Sequence, residues 1–259
     1  MKALKRNLQL LSLIMLLSQL LFGQIMNIEN KDGSVLQLAV SDIEGITFEL
    51  CKDADGNTYR TVKIGNQWWM AENLRTTHYR NGEAIPKVTD NTQWSTLTTG
   101  AYCAYGNDEN KVATYGYLYN WYSAVDSRNI APEGWHVPTD AEWEELAQYI
   151  STDNGGYTKY TFYWEKVGEH LKATSGWYKD RNGTDDYGFV GLPAGNRIST
   201  AQYQSPGIYL GLTQSGMFWS TTEYDPNQAK FRSLADWDDY FVNYFNKKGY
   251  GASIRCVKD

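Results

Sequence analysis

The strongest constraint on this fold is the helix start written at Gly134-Trp135-His136-Val137-Pro138-Thr139-Asp140-Ala141-Glu142-Trp143. Thr139 stands at an N-cap, where its hydroxyl accepts a backbone N–H of the first turn, and Glu142 lies three residues on to reach back, completing a capping box. Asp140, Glu142, Glu144 and Glu145 add negative charge at the positive end of the helix dipole. Trp143, Leu146, Ala147 and Ile150 then recur at helical spacing and predict a helix from Asp140 to about residue 150 with one face on a core. The motif reads as a well-capped structural helix in preference to a catalytic one.

Two weaker helical patterns accompany it. Leu118, Trp121, Tyr122 and Val125 share a face over residues 117–125. Residues 164–172 suit a short helix, weakened by Gly168 at a cost of about 1 kcal/mol relative to alanine. The rest of residues 51–259 consists of short strand patterns, frequent glycines and closely spaced aromatics, which predicts one α+β domain with long ordered loops and no internal repeat. Asp55-Gly56 reads as a hairpin turn, because a calcium loop of the EF-hand type needs its glycine at position six and here it comes fourth.

The first 50 residues divide differently. Lys2, Lys5 and Arg6 precede an apolar run from Leu8 to Phe22, and Gly23 offers a cleavage point, so residues 1–23 read as a secretory signal peptide. The run is too short and too interrupted for a membrane span. Residues 24–50 form a leader in which an apolar segment from Gln24, an Asp32-Gly33 turn and a run from Val35 suit a β-hairpin. Removing the signal leaves 21 of the 24 basic residues against 30 acidic ones, which argues against nucleic acid or an anionic membrane as partner. A secreted or cell-surface location follows, and its oxidising conditions permit a disulfide among Cys51, Cys103 and Cys256.

Metal and catalytic patterns are sparse. His78, His136 and His170 lack the spacing that aims two rings at one ion. The acidic runs Asp185-Asp186 and Asp236-Trp237-Asp238-Asp239 carry oxygen ligands of the kind calcium takes, although solvated loop charge is the commoner meaning. Ser220 and Ser233 stand in no nucleophile-elbow frame, and Glu223 with Asp225 offers only a sequence-local carboxylate pair. No catalytic residue is assigned. The 38 aromatic residues point to recognition, since amphipathic rings give flat faces for sugars or proteins. The candidate ligand contacts are Trp177 and Tyr178 beside Lys179-Asp180-Arg181-Asn182-Gly183, Trp219 with Glu223 and Tyr224, and Asn196 with Arg197 from a preceding loop.

Seven ordered blocks run from about Cys51 to Asp259. They include Asp55 to Leu74, Ala101 to Tyr105, Tyr115 to Tyr122, Gly188 to Arg197, Phe218 to Glu223 and a closing Ser253-Ile254-Arg255-Cys256-Val257-Lys258-Asp259. In this order they resemble the Fibrobacter succinogenes major paralogous domain family of secreted bacterial proteins. That family is similar in turn to the formylglycine-generating sulfatase-modifying enzymes. The resemblance implies a C-type-lectin-like, sulfatase-modifying-factor-like fold with two or three helices, and it raises the expectation of bound calcium. It also implies that Cys103 and Cys256, both inside shared blocks, form a disulfide; Cys51 with Cys256 is the competing pair. The enzyme relatives use a closely spaced cysteine pair near the C-terminus, whereas Cys256 stands alone in its region. A non-catalytic binding or surface-interaction protein, with a glycan or a cell-surface protein as partner, is therefore expected. A divergent enzyme and a structural surface component are the alternatives.

Overall fold

The computed structural model describes residues 25–29, 35–39, 51–199 and 207–259. The expected signal peptide and the Asp32-Gly33 turn lie outside them. The chain divides into two units, Met1–Glu49 and Leu50–Asp259. In the first, strands β1 (Ile25–Glu29) and β2 (Val35–Ala39) pair antiparallel from Ile25↔Ala39 to Glu29↔Val35.

The second unit is built on short strands: β3 (Cys51–Lys52), β4 (Thr58–Tyr59), β5 (Thr61–Ile64), β6 (Gln67–Met70), β7 (Tyr102–Cys103), β8 (Leu118–Tyr119), β9 (Trp135–His136) and β10 (Tyr163–Trp164). Longer ones follow: β11 (Ala194–Arg197), β12 (Tyr209–Leu212), β13 (Ser215–Asp225), β14 (Gln228–Ala235) and β15 (Phe241–Lys247), before β16 (Val257–Lys258). The main sheet runs β10-β15-β14-β13-β11-β12, and a second runs β5-β6-β16-β9. β3 and β4 flank the Asp55-Gly56 turn as an antiparallel pair, so this segment is the hairpin its sequence suggested.

Alternation along β13 explains why the main sheet has a core on both faces. Phe218 and Trp219 are adjacent and fully buried, and successive strand residues point to opposite sides. Phe218 joins Trp69, Trp143, Leu146, Ile150, Phe189 and Phe241; Trp219 joins Tyr79, Tyr119, Phe231 and Ile254. Each such side chain contributes roughly 1.5–3 kcal/mol on burial. Buried Arg255 ties a loop to this framework: Nε donates to Asn73 Oδ1 at 2.8 Å, and its guanidinium lies 4.3 Å over the Phe189 ring.

Among the described residues the α-helices are α1 (Asn91–Ser95), α2 (Val112–Tyr115), α3 (Trp121–Ala124), α4 (Asp140–Asp153) and α5 (Val167–Leu171). This is α+β, with more and shorter helices than expected. In α4 the expected cap is formed: the Glu142 N–H donates to Thr139 Oγ1 at 3.3 Å, and the Thr139 N–H donates to Glu142 Oε2 at 2.7 Å. Trp143, Leu146, Ala147 and Ile150 are the buried face. The helix expected over residues 117–125 is instead β8 followed by α3. Tyr119 exchanges backbone hydrogen bonds with Ala252, and the Asn120 side chain caps α3 by accepting the Ser123 N–H. Over 164–172, Trp164 pairs with Phe241 in the sheet, and Lys166 at φ +59° holds the chain out of helix until Val167.

Candidate functional site

The residues expected to touch a ligand fall into two groups. Trp177, Asn196, Arg197 and Trp219 are buried, and the side-chain donors of Trp177, Arg197 and Trp219 are engaged in the framework. The Trp177 and Trp219 indoles donate to Gly191 O at 3.1 Å and Tyr119 O at 2.9 Å. Arg197 donates to Gly207 O, Val88 O, Thr89 O and Asn91 Oδ1 between the rings of Trp94 and Tyr209. Asn196 sits on β11 opposite Leu210. The donors of Trp177, Arg197 and Trp219 are thus given to the framework, and Asn196 is buried within a strand.

Tyr178, Glu223 and Tyr224 are exposed. Glu223 pairs with Lys248 at 2.7 Å. The Tyr224 ring lies parallel to Phe245 at 3.8 Å, Phe245 parallel to Tyr244 at 4.5 Å, and Phe162 stands edge-on to Tyr244 at 5.2 Å. Lys230 approaches the Tyr224 ring at 5.6 Å. Rings stacked in this way spend their faces on one another, so the cluster offers edges where a sugar needs a face.

A better site forms where two separated segments meet. The loop carrying Arg181 and Asn182 and the run Asp236 to Asp239 face each other across Lys172, lining a cleft of about 330 Å³. On one wall β14 ends at Ala235, and the Asp236 N–H is held by Gln214 O at 2.8 Å. The chain then turns so that Trp237 is 66% exposed, the most exposed large hydrophobic among the described residues. The Tyr240 N–H donates to Asp238 Oδ1 at 3.1 Å. Burial raises the Asp238 carboxyl above its ordinary value, against the pull of Lys172. Lys172 is buried and donates to Asp239 Oδ1 at 2.8 Å, Asp238 O at 2.9 Å and Ala235 O at 3.4 Å, which fixes the acidic run. On the other wall the Trp177 N–H donates to Asn182 Oδ1 at 3.1 Å.

An exposed indole beside carboxylate, guanidinium and amide groups can stack a flat ring and hydrogen-bond its substituents. In the sequence Trp237 stands within the acidic run Asp236 to Asp239 and is not among the expected ligand contacts. The missed signal is a lone indole in an otherwise wholly polar loop directly after a strand.

Other polar clusters carry less chemistry. Tyr157 OH, His170 and Asp186 form a chain, with Tyr157 OH to His170 Nε2 at 2.8 Å. Burial, then Glu169 and Asp186, push the Tyr157 hydroxyl above its ordinary value, the reverse of an activated nucleophile. The Cys103–Cys256 disulfide is also corrected: Cys51, Cys103 and Cys256 are buried free thiols. Cys103 packs with Trp94 and Leu118, whereas Cys256 lies in another cluster with Cys51. Burial, then Asp53, pushes the Cys51 thiol up to about 12, and burial raises Cys256 well above its ordinary value. Among the described residues no three His, Cys, Asp or Glu side chains gather as a metal site. No described helix is long and apolar enough to cross a membrane.

The Fibrobacter succinogenes major domain family model matches residues 62–258, and the chain belongs to that family. No curated protein and no solved structure matches it.

Proposed function

We propose that this member of the Fibrobacter succinogenes major domain family is an exported, non-catalytic binding protein that takes a carbohydrate ring against Trp237. The carrying observation is the 66% exposed indole at a cleft whose walls hold acidic, basic and amide side chains. An open indole beside convergent polar groups offers a flat face on which a ring can stack while its hydroxyls are hydrogen-bonded. A lectin-like, sulfatase-modifying-factor-like fold remains part of this reading through the ordered sequence blocks; fold alone does not fix the function. The buried Cys256, its thiolate disfavoured, speaks against redox catalysis of the kind the sulfatase-modifying enzymes perform.

Residues 24–259 applied to a broad glycan array, with calcium and with chelator, test the reading. Specific binding that disappears in Trp237→Ala, while near-UV circular dichroism and melting temperature persist, supports it. A blank array, or binding indifferent to Trp237→Ala, sinks it. The calcium arm decides whether a divalent ion assists.

A further inference from the structure

The cleft wall carries a charge that its neighbours leave unanswered. Asp239 is neutralised by Lys172, and Asp238 Oδ1 accepts the Tyr240 N–H. Asp236 lines the same cleft with only 7% of the residue exposed. Its backbone N–H bonds Gln214 O, and among the described residues no lysine or arginine forms an ion pair with its carboxylate. A carboxylate on the cleft wall with no cation paired to it favours a donor or a cation brought by a ligand. Three carboxylates against Lys172 and Arg181 leave the lining with an excess of one negative charge. Arg181 is exposed and solvated, so its attraction for an anion is the weaker pull.

Resting on the carbohydrate reading above, we propose that the cleft selects an amino sugar with a free amine, its ring on Trp237 and its ammonium on Asp236. An indole face also attracts a cation held over it, so both contacts favour the same charge. N-acetylation removes that charge and adds bulk at the same atom. Neutral and uronic sugars therefore bind more weakly than the free amine.

Isothermal titration of residues 24–259 at pH 5.5 with four probes tests the assignment: a β-1,4-linked glucosamine tetramer, its fully N-acetylated counterpart, a galacturonic acid trimer and a lysine tetramer. The expected result is at least tenfold tighter binding of the glucosamine tetramer than of the other three. Asp236→Asn is expected to abolish most of that preference, and raising the salt from 50 to 500 mM weakens the glucosamine complex severalfold. The salt series on the unaltered protein keeps the test decisive should Asp236→Asn fail to fold. Equal or tighter binding of the acetylated tetramer or the uronic trimer overturns the amine assignment and leaves the carbohydrate reading standing. Tighter binding of the lysine tetramer overturns the carbohydrate reading and keeps a cation site on a protein partner. Silence from all four overturns the amine assignment, while the glycan array decides the broader reading separately.

Discussion

Replacing Arg197 by methionine separates a structural arginine from a ligand contact. The side chain is fully buried, and its four acceptors lie at 2.6 to 2.9 Å. Thr89 and Asn91 are exposed, so their oxygens recover water when the guanidinium leaves; Val88 and Gly207 are buried, so theirs do not. Two orphaned carbonyls cost about 1–3 kcal/mol each. Losing the contacts with Trp94 at 4.5 Å and Tyr209 at 4.9 Å costs about 1–2 kcal/mol apiece. Against this, methionine relieves the several kcal/mol of desolvating a cation that has no carboxylate partner among these contacts. The balance is a destabilisation of about 3 kcal/mol, or roughly 6–12 °C in melting temperature for a domain of this size. Urea titration with a two-state fit, accompanied by calorimetry, measures it. A shift below about 2 °C would falsify the argument by showing that desolvation cancels the bonds. Lost ligand affinity at unchanged stability would instead return Arg197 to the site.

Trp219→Ala removes a fully buried ring and the hydrogen bond to Tyr119 O; a loss of about 3–5 kcal/mol by denaturant titration is expected, and a loss under 1 kcal/mol contradicts the packing described. Burial opposes protonation of His136, but its hydrogen bonds to Asp259 and Glu142 outweigh this and hold its pKa above the ordinary value. Its stabilising contribution is therefore complete below about pH 6.5 and fades as pH rises through the folded-state value; urea midpoints from pH 5.5 to 8.5 should fall in the parent and stay flatter in His136→Gln, and parallel curves argue otherwise. Native protein at pH 8 should leave a thiol reagent such as Ellman's unreacted and release three thiols per chain in guanidinium, whereas one thiol would indicate a disulfide and rapid native labelling an accessible cysteine.

What was readable in the sequence was local. Thr139 and Glu142 meet across one turn, so their spacing alone announces the cap, and the Asp55-Gly56 hairpin is similarly self-contained. Residues 117–125 misled because Leu118, Trp121 and Tyr122 imitate a helical face while Tyr119 is bound to Ala252, far along the chain. Trp177 and Trp219 have the chemistry of a sugar platform, yet only the tertiary structure reveals that their indole N–H groups are given to backbone carbonyls. Both halves of the cleft stood out as polar loops. Their meeting depends on Lys172, whose reach to Asp239 across the fold leaves no periodic trace.

The second sheet has its own consequence for how the domain comes into being. Val257 pairs with Trp69 on one side and His136 on the other, so a strand supplied late sits between two supplied early. An emerging or threading chain cannot close this sheet by growing it outward from one edge. Strands β6 and β9 must wait, their ladder groups unpaired on the facing sides, until residue 257 is present, and such distant pairing is slow. The domain should consequently lock as a whole after its full length has been delivered, a kinetic order compatible with crossing a membrane as an unfolded thread. Until that moment its half-built sheet is open to any other strand that arrives first.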